Sequence, residues 1–180
     1  MNIRPTEIEG LLIIEPNVFE DKRGYFYESY NERAFIEAGI HNRFVQDNQS
    51  RSDYGVIRGL HLQGEPHAQA KLIRVIEGSI FDVALDLRKG SVTYGKWFGL
   101  EITHENRLQM LVPKGCAHGF SVLSERATVF YKCDDFYHPE TESGIRYNDP
   151  DLLIDWRVPE ERASVSDKDS NLPFFKAYNK

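Results

Sequence analysis

Apolar and polar side chains alternate through Val56-Ile57-Arg58-Gly59-Leu60-His61-Leu62-Gln63. On a strand, that alternation sends Arg58, Leu60 and Leu62 to one face and Gly59, His61 and Gln63 to the other. An imidazole with an amide two residues on and a cation three residues back makes a polar cluster where a core strand is expected. Taken alone, the stretch reads as a half-exposed strand carrying a satisfied histidine. A second polar set further along gives it more weight.

The same periodicity recurs along the chain. Leu11-Leu12-Ile13-Ile14 forms a strand-like run that Pro16 brings to an end or an edge. Tyr25 to Tyr30 is aromatic and extended, and Asn31 is placed to cap a short helix over 32–38, closed by Gly39. A strand is expected over 44–49, before a polar interruption at 50–54. The runs 71–76 and 79–87 meet at Glu77-Gly78, the signal of a hairpin. Further strands are expected over 94–103, 107–112, 118–123 and 128–136. Many short strands separated by Gly and Pro predict an all-β fold, a sandwich or barrel of jelly-roll type with a few short peripheral helices. After Tyr137-His138-Pro139 the pattern weakens to edge or short helical pieces. Even so, Ser166-Asp167-Lys168-Asp169 precedes Leu172-Pro173-Phe174-Phe175, a mix of charge and apolar anchors that predicts a tail held against the body.

A length of 180 residues suits one domain spanning 1–180. The net charge of -6 argues against nonspecific nucleic-acid binding, which draws on many Lys and Arg, so an anionic ligand needs a local basic pocket. Cys116 and Cys133 lack paired metal-ligand spacing and read as buried free thiols of a reducing compartment. The N-terminus lacks a signal-peptide core and no run is long enough for a membrane span, so a cytoplasmic protein with no membrane partner is expected.

His61-Leu62-Gln63, taken with Pro113-Lys114-Gly115-Cys116-Ala117-His118, resembles the two-part signature of cupin barrels. Metal-binding cupins carry a second His where this chain has Gln63, followed by a Glu that is missing here. An amide is a poor substitute for imidazole, and the ammonium of Lys71 further along cannot ligate a metal. The barrel is therefore expected without a catalytic metal or other cofactor.

The resemblance becomes specific when several segments are taken together in order. These are residues 21–28 (DKRGYFYE), 46–50 (QDNQS), 57–61 (IRGLH), 112–120 (VPKGCAHGF), 131–133 (YKC), Tyr137 and 166–169 (SDKD). This set resembles that of dTDP-4-dehydrorhamnose 3,5-epimerases, from near residue 10 to near residue 173. The family is metal-free and acts on dTDP-4-dehydro-6-deoxy-D-glucose, inverting the two carbons beside the ketone. It works as a homodimer whose N-terminal strands cross to the partner.

Inverting a carbon next to a ketone means removing its proton, holding the enolate and returning a proton to the opposite face. By resemblance His61 is the base, Tyr131 the acid, and Asp169 the carboxylate that orients and charges the imidazole. Without the resemblance, Tyr131 reads as a core aromatic and Asp169 as a solvated tail residue. Lys71 is the first choice for the enolate oxygen, although a snorkelling lysine at a strand start fits the same residue. His118 is assigned to binding or support. For the diphosphate the resemblance offers Arg23 and Arg58, with Lys168 close to sugar or phosphate where some relatives carry Arg. Tyr137 matches the thymine-stacking position. Phe26, Glu28, Gln46, Asp47, Asn48, Gln63 and Glu142 complete the expected substrate contacts, and Arg23 and Glu28 are placed to act across a dimer.

Three other readings share these residues. They are a 3-epimerase or 3,4-ketoisomerase on the same scaffold, a metal-dependent cupin enzyme, and a sugar-nucleotide binding module without turnover.

Overall fold

The computed structural model describes residues 1–178. The first part of the chain forms β1 (Asn2–Pro5), β2 (Leu12–Glu15), β3 (Phe19–Asp21), β4 (Gly24–Phe26) and helix α1 (Glu32–Glu37). The body consists of β5 (Gln46–Asp53), β6 (Val56–Gln63), β7 (Lys71–Glu77), β8 (Ser79–Asp86), β9 (Trp97–Thr103), β10 (Gln109–Val112), β11 (Cys116–Val122) and β12 (Arg126–Cys133). Short pieces β13 (Glu142–Gly144), β14 (Ser164–Val165), α2 (Asp167–Ser170) and α3 (Phe175–Tyr178) complete it. Among the described residues no helix is long and apolar enough to cross a membrane.

Two sheets carry the fold, in the orders β1-β2-β10-β7-β12-β5 and β13-β6-β11-β8-β9, with β14 added in parallel to β6. The β3-β4 pair forms a separate hairpin. Alternate residues of both sheets point at one another: Ile13, Ile73, Val75, Met110 and Val129 from the first meet Ile80, Ala84, Ile102, Phe120 and Val122 from the second in one buried cluster. Burying each of the larger of these side chains contributes roughly 1.5–3 kcal/mol, which makes this inner layer the main anchor of the jelly roll. The expected all-β jelly-roll architecture is thus the observed one.

The outer faces are covered by the segments that break the strand pattern. Asn31 caps α1 by accepting from the Ala34 N–H at 3.3 Å, and the helix buries Phe35 with Ile40 against Leu72 and Leu111. The C-terminal tail lies over the other sheet, where Ile145, Leu152 and Trp156 join Leu60, Leu62, Phe81 and Leu85. Both the capped helix and the packed tail match expectation.

Two local expectations require correction. Glu77-Gly78 is not a hairpin: β7 belongs to one sheet and β8 to the other, so the turn is a corner between layers. Gly78 has φ +79°, and a Cβ there would lie 2.0 Å from the Arg126 carbonyl oxygen, so the corner needs glycine. The polar stretch 50–54 is not an interruption, because β5 continues through Asp53, paired along its length with β12. Backbone pairing keeps this edge strand extended despite its polar side chains.

Candidate active site

The strand register places the chemistry. Along the first sheet Gln46 pairs with Cys133 and Cys133 with Lys71, while Asn48 pairs with Tyr131 and Tyr131 with Ile73. Directly opposite residues share a face. Since Ile73 points into the core, Gln46, Asn48, Tyr131, Cys133 and Lys71 point the same way. From the second sheet, β6 brings His61. Gln46, Asn48, His61, Gln63, Lys71, Tyr131, Tyr137 and Glu142 all line one cavity of about 210 Å³.

The β6 strand does not alternate strictly. His61 pairs with His118 but Arg58 pairs with Phe120, so three residues on β6 span two on β11. This bulge returns Arg58 to the face of His61 and leaves Leu60 in the outer apolar cluster. The simple alternation had placed Arg58 with Leu60. At the bulge, Gly59 approaches β11 so closely that a Cβ would lie 2.6 Å from Gly119 Cα. Arg58 donates through Nε to Ser52 Oγ at 3.0 Å.

His61 is held from behind. Its Nε2 lies 2.8 Å from Asp169 Oδ1, and Asp169 Oδ2 accepts from the Gly59 N–H at 3.0 Å. Asp169 is buried on α2, whose Ser166 cap accepts from the Asp169 N–H. Burial pushes the Asp169 carboxyl up, but the bonds from His61 and Gly59 outweigh it and hold the group below its ordinary range. A persistent carboxylate therefore fixes the ring orientation and leaves Nδ1 as the nitrogen for proton transfer.

Across the cavity, burial raises the Tyr131 phenol above its usual range, reinforced by Cys133 and countered by Arg58. Such a phenol keeps its proton at neutral pH and can donate it. Burial acts in the opposite direction on Lys71, lowering its ammonium below the ordinary lysine range against the pull of Cys133, Glu142 and Asp82.

At the rim, Glu142 accepts from the Tyr137 hydroxyl and from Lys168 Nζ, each at 2.6 Å, and Gln46 Oε1 accepts from the Tyr137 N–H at 3.0 Å. This ties Lys168 to the cavity through Glu142. Gln63 is less available than expected, because its amide donates to the His67 and Phe136 carbonyls and accepts from the His138 N–H. It acts as a clip between loops and has little left to offer a ligand.

Other expected residues lie elsewhere. Asp47 points out of the opposite face of β5, where it pairs with Lys132 Nζ at 2.8 Å. His118 is buried, with Nε2 2.7 Å from Asp82 Oδ1. Arg23 and Phe26 line a separate open cavity on the β3-β4 hairpin, Phe26 being 66% exposed. Glu28 is exposed and accepts from Asn31 Nδ2. Sequence reasoning passed over Gln69 and Cys133 as cavity lining and Asp82 as the partner of His118. The period of two already placed Gln69 with Lys71 and Cys133 with Tyr131, and Asp82 stands out as a charge within an apolar run.

Comparison with known proteins finds relatives along nearly the whole chain. The dTDP-4-dehydrorhamnose 3,5-epimerase family model matches residues 5–177. An enzyme of that name from Methanothermobacter thermautotrophicus is 53% identical over 92% of this chain and 90% of its own length. A crystal structure of the Elizabethkingia anophelis epimerase superposes with TM-score 0.95 at 55% identity, covering 100% of this chain and 99% of that one. The Legionella pneumophila epimerase, solved in complex with dTDP-4-keto-L-rhamnose, gives TM-score 0.93 at 49% identity over 97% and 93% of the two chains. With its jelly roll, its ordered motifs and this breadth of similarity, the chain belongs to the dTDP-4-dehydrorhamnose 3,5-epimerase family.

Proposed function

We propose that this chain, an isomerase of that family, converts dTDP-4-dehydro-6-deoxy-D-glucose to dTDP-4-dehydro-L-rhamnose, with His61 as base and Tyr131 as acid. The observation that carries the reading is that His61 and Tyr131 enter one cavity from opposing sheets. Inversion requires that the proton leave by one face of the sugar and return by the other, and two groups on facing walls meet that need.

In this scheme His61 Nδ1 takes the proton from the carbon beside the ketone while Asp169 stabilises the imidazolium. Negative charge passes to the carbonyl oxygen, where Lys71 donates, and Tyr131 protonates the far face. A preorganised donor of this kind is typically worth roughly 2.7–4 kcal/mol. The same cycle at the second flanking carbon completes the conversion. Proton transfer between side chains needs no cofactor, and the donor set supports this: the amide of Gln63 is committed to backbone groups and Lys71 offers no metal ligand. Tyr137, Gln46, Asn48, Glu142 and Lys168 bind the sugar nucleotide around the rim, with Arg58 toward the diphosphate.

The hairpin supports a homodimer. Arg23 and Phe26 stand exposed and apart from the cavity of their own chain, as residues would that complete a partner's site. Phe19 and Tyr25 present further apolar surface beside them, which association would cover. Turnover in heavy water tests the reaction: deuterium is expected at both carbons flanking the ketone. Label at carbon 3 alone would instead identify a single-carbon epimerase, and no label at either carbon would leave a binding protein.

A further inference from the structure

Two loops meet beside the cavity through one buried side chain. Gln63 donates to the His67 carbonyl at 2.9 Å and accepts from the His138 N–H at 2.6 Å, so both histidines hang from the same amide. Their imidazoles stack in parallel, centroids 3.5 Å apart and planes 7° apart. Glu140 brings Oε1 to 3.0 Å from His138 Nδ1. One donor atom from each of the three residues lies within 4.8 Å of the others.

We propose that His67, His138 and Glu140 form a binding site for a transition-metal dication of the zinc class. Two imidazoles and a carboxylate are the ligand types such an ion takes, with bonds of about 2.0–2.2 Å. Two bonds of that length at a tetrahedral angle put their donors roughly 3.3 Å apart. The His138 and Glu140 atoms already stand near that spacing. The side chains have room to turn and close the widest separation, His67 and His138 being half-buried and Glu140 exposed. Nitrogen donors disfavour magnesium and calcium, which select all-oxygen shells. Three protein ligands leave the fourth position to water.

The Gln63 clip distinguishes this cluster from a chance meeting of surface side chains. With both histidine backbones fixed by a buried amide, the ordering that binding requires is confined to the side chains. The bound ion would fasten loop 64–70 to loop 134–141. It would not enter proton transfer, because His61 has its own carboxylate partner in Asp169.

Isothermal titration of zinc chloride into the chelator-stripped full chain near neutral pH tests the site, alongside His67→Asn, His138→Asn and Glu140→Gln. The expected result is one ion per chain at roughly micromolar Kd, weakened at least about tenfold in each histidine variant and less in Glu140→Gln. Zinc should also raise the Tm of the unsubstituted chain and not that of the histidine variants. Unchanged affinity in a folded histidine variant, or no binding up to millimolar zinc, would overturn the proposal. Should one variant fail to fold, the other histidine variant still decides.

Discussion

Asp169 reaches across 108 residues of sequence to hold His61, its Oδ1 2.8 Å from Nε2. The other oxygen accepts from the Gly59 N–H on the same strand, so one carboxylate sets both the ring and the backbone bulge beneath it. Asp169 is not among the residues lining the cavity and, in the proposed mechanism, acts through His61 as a positioning residue.

Replacing that carboxylate with its neutral isostere separates charge from shape. Asp169→Asn preserves the volume, but with its oxygen accepting from Gly59 its NH2 faces His61 Nε2, so it removes both the charge that balances an imidazolium and the acceptor that fixes the ring's tautomer. The expected result is a fall in kcat of about 10²–10⁴-fold with KM nearly unchanged. Steady-state kinetics on folded protein checks this, and a variant that loses affinity while keeping kcat would show that the role is structural only.

Tyr131 allows the two halves of the reaction to be observed apart. In the proposed mechanism Tyr131→Phe removes the proton returned to the far face and leaves His61 able to remove and restore one on its own face. Inversion should fall by about 10²–10⁴-fold while exchange of substrate hydrogen with heavy water continues. Proton NMR follows both rates in one sample. If exchange and inversion fell together, Tyr131 would be acting in proton removal and the assignment of roles would have to change.

In the proposed mechanism Lys71 sets the alkaline limit. Its ammonium is the form that can meet an enolate oxygen, and burial lowers its pKa below that of an ordinary lysine. Activity should therefore decline with rising pH earlier than a solvent-exposed lysine would dictate. Burial moves the Tyr131 phenol the opposite way, above its ordinary range. Lys71→Arg keeps its charge to higher pH, so its alkaline limb should move upward even with a reduced kcat. Lys71→Met should cost about 10²–10³-fold in kcat. An alkaline limb that stays in place in Lys71→Arg would remove Lys71 from the mechanism.

Local periodicity revealed much of this molecule before the fold was seen. Asn31, the run 32–38 and Gly39 announced α1 because capping is a short-range interaction. The period of two also separates Gln46 and Asn48, facing the cavity, from Asp47 on the outer face, although motif resemblance alone grouped all three. The remainder depended on long-range structure. A glycine with positive φ serves a hairpin and a corner between sheets equally well, so Glu77-Gly78 could not reveal which sheet β8 would join. The bulge that returns Arg58 to the face of His61 involves the close contact of Gly59 with β11, a strand distant in sequence. Gln63 is expected as a substrate contact, but its amide is taken up between two loops distant in sequence.

Away from the cavity, Asp86 tests how the barrel is held together in acid. It is buried and receives hydrogen bonds from Arg88, Ser91 and Thr93. Burial alone would raise its pKa, but these donors outweigh it and carry the carboxyl far below the ordinary carboxylate range. A carboxylate depressed in the folded state contributes its full stabilisation above the unfolded pKa and loses it as pH falls toward the folded value. Asp86→Asn leaves Arg88 without its charged partner and should destabilise the protein by about 3 kcal/mol at neutral pH. That difference should hold down to about pH 4 and narrow below it, as the unfolded parent chain takes up a proton that the native state refuses. Urea denaturation of both proteins across the acid range measures the gap directly; a gap that stays constant through pH 3 would mean that the network stabilises by shape and neutral hydrogen bonding, with no net contribution from the charge.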